Sequence, residues 1–204
     1  MLFTDTYKTI SGPSEAIFKD KASKFLAFAY PVLNEEEIKE YLVNLRKLHF
    51  SSNHHCYAWM LGFDKSAYRM NDDGEPSGTA GRPIYGQLLS YDLTNVLVVV
   101  VRYFGGTKLG VSGLINAYKT VTSDALSSAN IVEKIVFDIY NLKFPYEDLN
   151  QVMKLVKEEN LSISSPIFDS TCSLEMAIRR NKVEILLEKL KRINNVCSIY
   201  IKTT

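Results

Sequence analysis

The hydrophobic positions of this chain follow two periods, and their order predicts a protein of mixed helices and strands. Residues 15–19 and 23–32 are strand-like around a charged turn at Asp20 and Lys21. Apolar residues then recur at helical spacing behind Asn34, a predicted N-cap, at Ile38, Leu42, Leu45 and Leu48. The start of the chain therefore predicts a hairpin followed by an amphipathic helix.

Strands and helices continue to alternate between residues 55 and 130. An aromatic-rich strand over 55–63 precedes a short helix that begins near Pro83. The run from Val96 to Val101 is wholly aliphatic. Because a half-exposed strand would alternate, this run predicts a central strand covered on both faces. The next apolar stripe predicts a helix with Ser112 as its N-cap.

The pattern changes near Val132, and no glycine follows Gly113. Beyond this point the apolar positions predict the order strand, helix, strand, strand, helix, strand. Strict alternation over 172–179 is typical of a strand with one face in water. We predict two domains, residues 1–132 and 133–204, the second with the ferredoxin-like βαββαβ motif.

Composition and charge narrow the function only slightly. The chain has 204 residues and a net charge of +1, so contact with nucleic acid would need a local basic patch. Its three cysteines are widely spaced and predict neither a disulfide framework nor a metal pair. The longest apolar run is far shorter than the roughly 20 residues that span a bilayer. We expect a cytoplasmic protein with no membrane contact.

Eight of the ten glycines lie between Asn71 and Tyr118, and all of these except Gly86 lie in two loops that flank the predicted central strand. We call residues 71–83 the first loop and residues 102–113 the second loop. Glycine permits positive φ and close approach to the backbone, so such loops either form tight turns or hold an anion on main-chain N–H groups. The second loop also opens a predicted helix, whose N-terminus favours anions. We expect both loops to lie at the edge of one cleft.

These loops resemble the signature of the IMPACT/YigZ family. The resemblance rests on DDGEPSGTAGRP over residues 72–83, VVVRYFGG over 99–106 and KLG over 108–110. It extends upstream to 11–13, 21–25 and 54–58, and downstream into the small domain that bacterial members carry. The chain departs from the family pattern at Ser112, where a second glycine is usual, and at Asn116, where a basic residue is common.

The resemblance implies an α+β protein. It implies an N-terminal domain like the second domain of ribosomal protein S5, followed by a ferredoxin-like domain. Because eukaryotic relatives are tied to translational control, it also implies a non-catalytic binding protein linked to translation, with RNA, a ribosome or a translation factor as partner. We expect a monomer without a cofactor. The alternative is an enzyme acting on a phosphorylated or peptide-like small substrate at the cleft between the two loops.

The candidate binding residues are the polar, charged and glycine positions of both loops with one upstream histidine. The predicted ligand or anion site comprises His54, Asp72, Asp73, Glu75, Ser77, Thr79, Arg82, Arg102, Tyr103, Gly105, Gly106, Lys108, Gly110, Ser112 and Gly113. The predicted nucleic-acid contacts are Lys21, Lys24, Arg102 and Lys108.

Catalytic and metal chemistry are weaker interpretations of the same residues. The three carboxylates of the first loop suit proton transfer, but an Asp-Gly turn is also ordinary hairpin chemistry. His54 and Cys56 share a strand face as base and nucleophile would, whereas their apolar surroundings favour a packed strand. The histidines lack the regular spacing of metal ligands. We predict no catalytic residue and no metal site.

Arg102 directly follows the aliphatic run, where a charge is costly unless it is satisfied. One interpretation is structural: Arg102 pairs with Asp72, Asp73 or Glu75. The other gives its guanidinium to a ligand through bidentate contacts. We favour the ligand role, because neighbouring glycines leave room for a ligand to approach the backbone.

Overall fold

A five-stranded antiparallel sheet forms the centre of the first half of the chain. The structure is a computed structural model and describes residues 5–204. The strands and helices in this half are β1 (Thr6–Ile10), β2 (Ser14–Asp20), β3 (Ser23–Pro31), α1 (Glu35–Leu48), β4 (His54–Leu61), β5 (Ala67–Asn71), α2 (Gly81–Ser90), β6 (Val96–Tyr103), α3 (Gly110–Ser128) and β7 (Ile131–Ile135). The sheet has the order β2-β3-β6-β4-β5, and β1 pairs with β7 in a separate two-stranded sheet. The prediction of mixed helices and strands is confirmed.

The central strand β6 is covered on both faces, as its aliphatic run predicts. Val96, Val98 and Val100 pack into one buried cluster with residues of α2 and α3. The intervening residues Leu97, Val99 and Val101 pack into a second cluster with residues of α1. Every side chain of the aliphatic run is therefore buried, and the sheet holds β6 rigidly where the second loop begins.

The helix ends show one correct and one wrong prediction. The Asn34 side chain accepts a hydrogen bond from the Glu37 backbone N–H at 2.9 Å, so it caps α1 as predicted. Ser112 is not the N-cap of α3, because that helix begins two residues earlier, with Leu109 at the cap position. Gly110 has a φ of 77°, which lets the chain turn into the helix there and places Ser112 in its first turn.

The second half of the chain forms a unit of its own. Its elements are β8 (Phe137–Pro145), α4 (Leu149–Glu158), β9 (Ser162–Ile167), β10 (Thr171–Arg179), α5 (Val183–Lys191) and β11 (Cys197–Thr203), with the antiparallel order β11-β8-β10-β9. The buried side chains of β10 alternate with partly exposed ones, as its sequence pattern predicts. The order strand, helix, strand, strand, helix, strand is confirmed.

The two compact units divide between Lys134 and Ile135. Asp5 and Thr6 belong to the second unit, in which Asp5 forms an ion pair with Arg179. Among residues 5–204, no helix combines the length and apolarity needed to cross a membrane.

Candidate binding cleft

The two glycine-rich loops line a single cleft of about 430 Å³. One wall comes from the second loop and the first turns of α3, and consists of Arg102, Phe104, Lys108, Leu109, Gly110, Val111 and Leu114. The remaining lining comes from the start of β4 and from the first loop, at Asn53, His54, Glu75 and Pro76. The expectation that both loops lie at the edge of one cleft is therefore confirmed.

Arg102 and Glu75 form a buried ion pair in the wall of this cleft. Nη1 of Arg102 donates to Oε1 of Glu75 at 2.5 Å, and the two side chains are only 5% and 3% exposed. Tyr118 donates its hydroxyl to the same oxygen at 2.9 Å. The guanidinium also lies 5.3 Å and 5.4 Å from the ring centres of Phe25 and Phe104. Of the two interpretations of Arg102, the ion pair with a first-loop carboxylate is the one with a partner in the structure.

Asp72 and Asp73 hold the first loop in place. The Asp72 carboxylate accepts backbone N–H groups from Gly78, Ala80 and Gly81 at 2.8 to 3.0 Å, where α2 begins. Such an anion stabilises a helix N-terminus. Asp73 accepts the backbone N–H of His55 at 2.6 Å and Nη2 of Arg46 at 2.8 Å. Both carboxylates therefore have protein donors and neither lines the cleft.

His54 presents one ring nitrogen toward Glu75. Its Nδ1 lies 2.8 Å from the backbone oxygen of Asp73. Because a carbonyl oxygen only accepts, Nδ1 must carry the hydrogen. The other nitrogen, Nε2, lies 3.8 Å from Oε1 of Glu75. The Asp73 carbonyl thus fixes the tautomer and orientation of a histidine that lines the cleft.

Cys56 is fully buried in β4. Its Sγ donates to the backbone oxygen of Asp72 at 3.0 Å and lies 3.2 Å from the Tyr118 hydroxyl. Burial raises the pKa of the Cys56 thiol far above its ordinary range. Since the thiolate is the reactive form, this burial favours the packed-strand interpretation over the pairing of His54 with Cys56 as base and nucleophile. Within residues 5–204, no cluster of His, Cys, Asp and Glu could hold a metal ion.

Only part of the predicted site reaches the cleft: His54, Glu75, Arg102, Lys108 and Gly110. Other predicted residues have structural contacts. The hydroxyl oxygen of Tyr103 lies 2.9 Å from Nδ1 of His49. The hydroxyl of the buried Thr79 donates a hydrogen bond to the Pro76 carbonyl.

The remaining predicted residues lie outside the cleft lining. Gly105 packs against the β2–β3 turn, and Gly113 is half-buried in α3. The exposed ones are Lys21, Ser77, Arg82, Gly106 and Ser112, and Lys24 is partly exposed.

Sequence reasoning missed the apolar lining of the cleft. Pro76, Phe104, Leu109, Val111 and Leu114 all contribute to its walls. The available signal was the presence of large apolar side chains inside or next to a glycine-rich loop, where glycine and polar residues would suffice for a turn.

The pH dependence of stability should report two histidines, the buried His55 and the partly buried His49. Burial, assisted by the charge of Lys24, lowers the pKa of His49. Burial and Arg46 lower the pKa of His55 more than Asp73 raises it. As the pH falls below their ordinary value of 6.5, the unfolded chain binds protons first, so this stability is complete above pH 6.5 and is lost as the pH falls further.

We expect the melting temperature to be lower at about pH 5.5 than at about pH 7.5, and His55→Gln to reduce that difference. Thermal melts of both proteins across this range measure it. An identical pH dependence in His55→Gln would show that His55 does not contribute.

Comparison with known proteins gives concordant results. Residues 21–126 match the Impact N-terminal domain. The chain is 30% identical over 182 residues to the IMPACT family member YigZ of Escherichia coli, covering 88% of this chain and 89% of that protein. It is 29% identical over 190 residues to the IMPACT family member YvyE of Bacillus subtilis, covering 93% and 88%.

A solved structure is similar over the same extent. The crystal structure of a protein described as hypothetical has a TM-score of 0.73 and 27% sequence identity, and the match covers 98% of this chain and 99% of that one.

Proposed function

Because this chain belongs to the IMPACT family, we propose that it is a non-catalytic binding protein linked to translation regulation. In this proposal its glycine-rich face contacts RNA, a ribosome or a translation factor. The link to translation is carried over from the family by analogy. The binding role is supported by the cleft and the surface around it.

We further propose that the first unit is similar to the second domain of ribosomal protein S5 and that the second unit is ferredoxin-like. The strand order β11-β8-β10-β9 supports the latter, together with the connection of those strands through α4 and α5. Both folds occur in the translation machinery, which is consistent with the proposed role.

The observation that carries the binding proposal is the exposed surface of the second loop. Phe104 is 43% exposed, Val111 is 60% exposed, and Lys108 between them is also exposed. An aromatic ring, a cation and an aliphatic side chain on the second loop suit recognition, because they offer stacking, charge and apolar contact together. By contrast, the Glu75 carboxylate and Cys56 thiol are buried against protein partners.

An enzyme acting on a small substrate is the second candidate. The observation in its favour is His54, whose Nδ1 is anchored to a carbonyl while Nε2 faces Glu75 beside the cleft. A histidine oriented in this way can serve as a general base. For this enzyme function, a nucleophile would have to approach Nε2 of His54 from the cleft.

The binding proposal predicts that Phe104→Ala combined with Lys108→Ala weakens binding to purified ribosomes or to RNA by about tenfold or more, because stacking and phosphate contact are both lost. Co-sedimentation and a filter-binding assay measure this. Lys119→Ala is the matched control, since Lys119 is an exposed lysine of α3 that does not line the cleft. Thermal melts of all three proteins should agree closely.

Salt dependence distinguishes the partners. Affinity for RNA should fall steeply with added salt as phosphate contacts are lost, whereas affinity for a protein partner should depend on it less. Equal binding by the double variant and the unchanged chain would contradict the role of the second loop. A general-base role would instead appear as a turnover of small substrates that His54→Gln abolishes without changing ribosome or RNA binding.

A further inference from the structure

We propose that the cleft binds a small organic anion, in which one carboxylate or phosphate group is attached to an apolar body. The inference rests on the proposed function only in taking the glycine-rich loops as a binding surface. It adds the chemical class of a ligand for the interior of the cleft. Three features of the cleft support this class of ligand: its size and apolar walls, its electropositive end, and the Nε–H group of Arg102, which has no acceptor among residues 5–204.

The size and lining of the cleft suit a small molecule. Its volume of about 430 Å³ lies within the range of small-molecule sites, roughly 300 to 1,000 Å³. Phe104, Leu109 and Leu114 line it, together with Pro76 and Val111. Such walls remove apolar surface from water, so the ligand should carry an aromatic or aliphatic body.

The first turn of α3 makes part of the cleft electropositive. Gly110 and Val111 begin this 19-residue helix and line the cleft. Leu109 at the cap position offers no side-chain hydrogen bond to the first N–H groups. A helix start of this kind favours an anion, through both its N–H groups and its dipole. Lys108, directly before the cap, adds a full positive charge.

One N–H group of the Arg102 side chain lacks a hydrogen-bond acceptor among residues 5–204. The residue is 4% exposed and lines the cleft, and its Nε is buried without a hydrogen-bond partner among residues 5–204. Buried N–H groups of charged side chains are normally satisfied. For a ligand oxygen to provide this acceptor, the side chains around Nε have to move aside, because the atom itself has almost no accessible surface.

The charges of the cleft also favour an anion. Among residues 5–204, Glu75 is the only acidic residue in the lining, and Arg102 already neutralises it. The remaining charge comes from Lys108. An organic cation would find no free carboxylate in the lining, whereas an anion finds a cation and a helix N-terminus.

Val111 offers a sharp test, because its side chain is exposed at the second position of α3. Val111→Asp puts a negative charge where the ligand anion would lie. The same charge is compatible with a helix N-terminus, so the fold should be retained. Val111→Asn is the matched control, with the same size and no charge.

The probes are phenyl phosphate and 3-phenylpropionate, which share an anion on an apolar ring and distinguish phosphate from carboxylate recognition. Inorganic phosphate has the anion without the apolar ring, and 3-phenylpropan-1-ol has the ring without the anion. Titration calorimetry or ligand-observed NMR measures binding. We expect at least one probe to bind about tenfold more tightly than both partial compounds.

The variants should separate in a defined order. Val111→Asp should weaken probe binding about tenfold or more relative to Val111→Asn, which loses the same apolar contact without adding a charge, and Lys108→Ala should also weaken binding. If neither probe binds at about 10 mM, or if Val111→Asp binds as well as Val111→Asn, the proposal is overturned.

The same proteins are assayed for ribosome and RNA binding, so the two proposals fail separately. Probe binding that Val111→Asp abolishes supports the small-anion site even when no macromolecular binding is seen. Macromolecular binding without probe binding supports the proposed function and overturns the small-anion site.

Discussion

Glu75→Ala is expected to lower the free energy of unfolding by about 3–5 kcal/mol, because it leaves the Arg102 guanidinium buried without its counter-charge. Both side chains are almost fully buried, and Tyr118 loses the acceptor of its hydroxyl in the same change. Chemical denaturation of the variant measures the loss. The matched control is Arg46→Ala, which breaks a half-exposed ion pair with Asp73 on the same loop. That change should cost only about 1 kcal/mol or less.

A double variant tests whether the cost comes from the unpaired charge. Replacing both partners by apolar residues, as in Glu75→Leu with Arg102→Met, removes the two charges together. Buried ion pairs replaced in this way often lose little stability, so the double variant should be more stable than Glu75→Ala. A double variant as unstable as the single one would attribute the loss to packing instead.

Gly105→Ala should destabilise the chain by about 3 kcal/mol or more, because the added methyl group has no room. A Cβ at this position would lie 2.1 Å from the carbonyl carbon of Ala22 and 2.4 Å from the backbone nitrogen of Ser23. Both are main-chain atoms of the β2–β3 turn, where Lys21 and Ala22 already have positive φ, so the turn cannot readily move aside.

The control is Gly86→Ala, since a Cβ there meets no atom within 4 Å and the residue lies inside α2. It should raise stability by about 0.5–1 kcal/mol, through the higher helix propensity of alanine. Thermal and urea unfolding of both variants provide the comparison. If Gly105→Ala unfolds like the unchanged chain, the second loop does not pack as closely on the hairpin as described.

Predictions from the sequence succeeded where the cause is local. The run from Val96 to Val101 is aliphatic at every position, so both faces of the strand must be buried. The Asn34 side chain accepts from the backbone N–H of Glu37, only three residues along the chain. Ser112 is also a good capping residue, but the positive φ of Gly110 starts α3 before it. Local preference therefore identified the helix and misplaced its first residue.

The partner of Arg102 could not be deduced from the sequence. Asp72, Asp73 and Glu75 are chemically similar and lie within four positions of one another. The fold assigns each a different donor: backbone N–H groups, Arg46 and Arg102 respectively. Those assignments depend on how the first loop lies against α1, β4 and β6. The spacing of residues along the chain does not determine these contacts.

The cleft was predicted from its glycines and is built largely from its apolar neighbours. Phe104 and Val111 drew no attention in the sequence because an exposed apolar residue is ordinary. They became informative only when the structure placed them around one concave surface with Arg102 and Lys108. Concavity depends on contacts between distant segments, so it has no signal in a single sequence.

Asp72 restrains the first loop in the folded chain. One carboxylate accepts hydrogen bonds from the backbone of Gly78, Ala80 and Gly81. A loop that orders during association adds an entropic cost and a slow conformational step to binding. In the proposed binding role, the hydrogen bonds to Asp72 supply part of that order in the folded chain, before a partner associates.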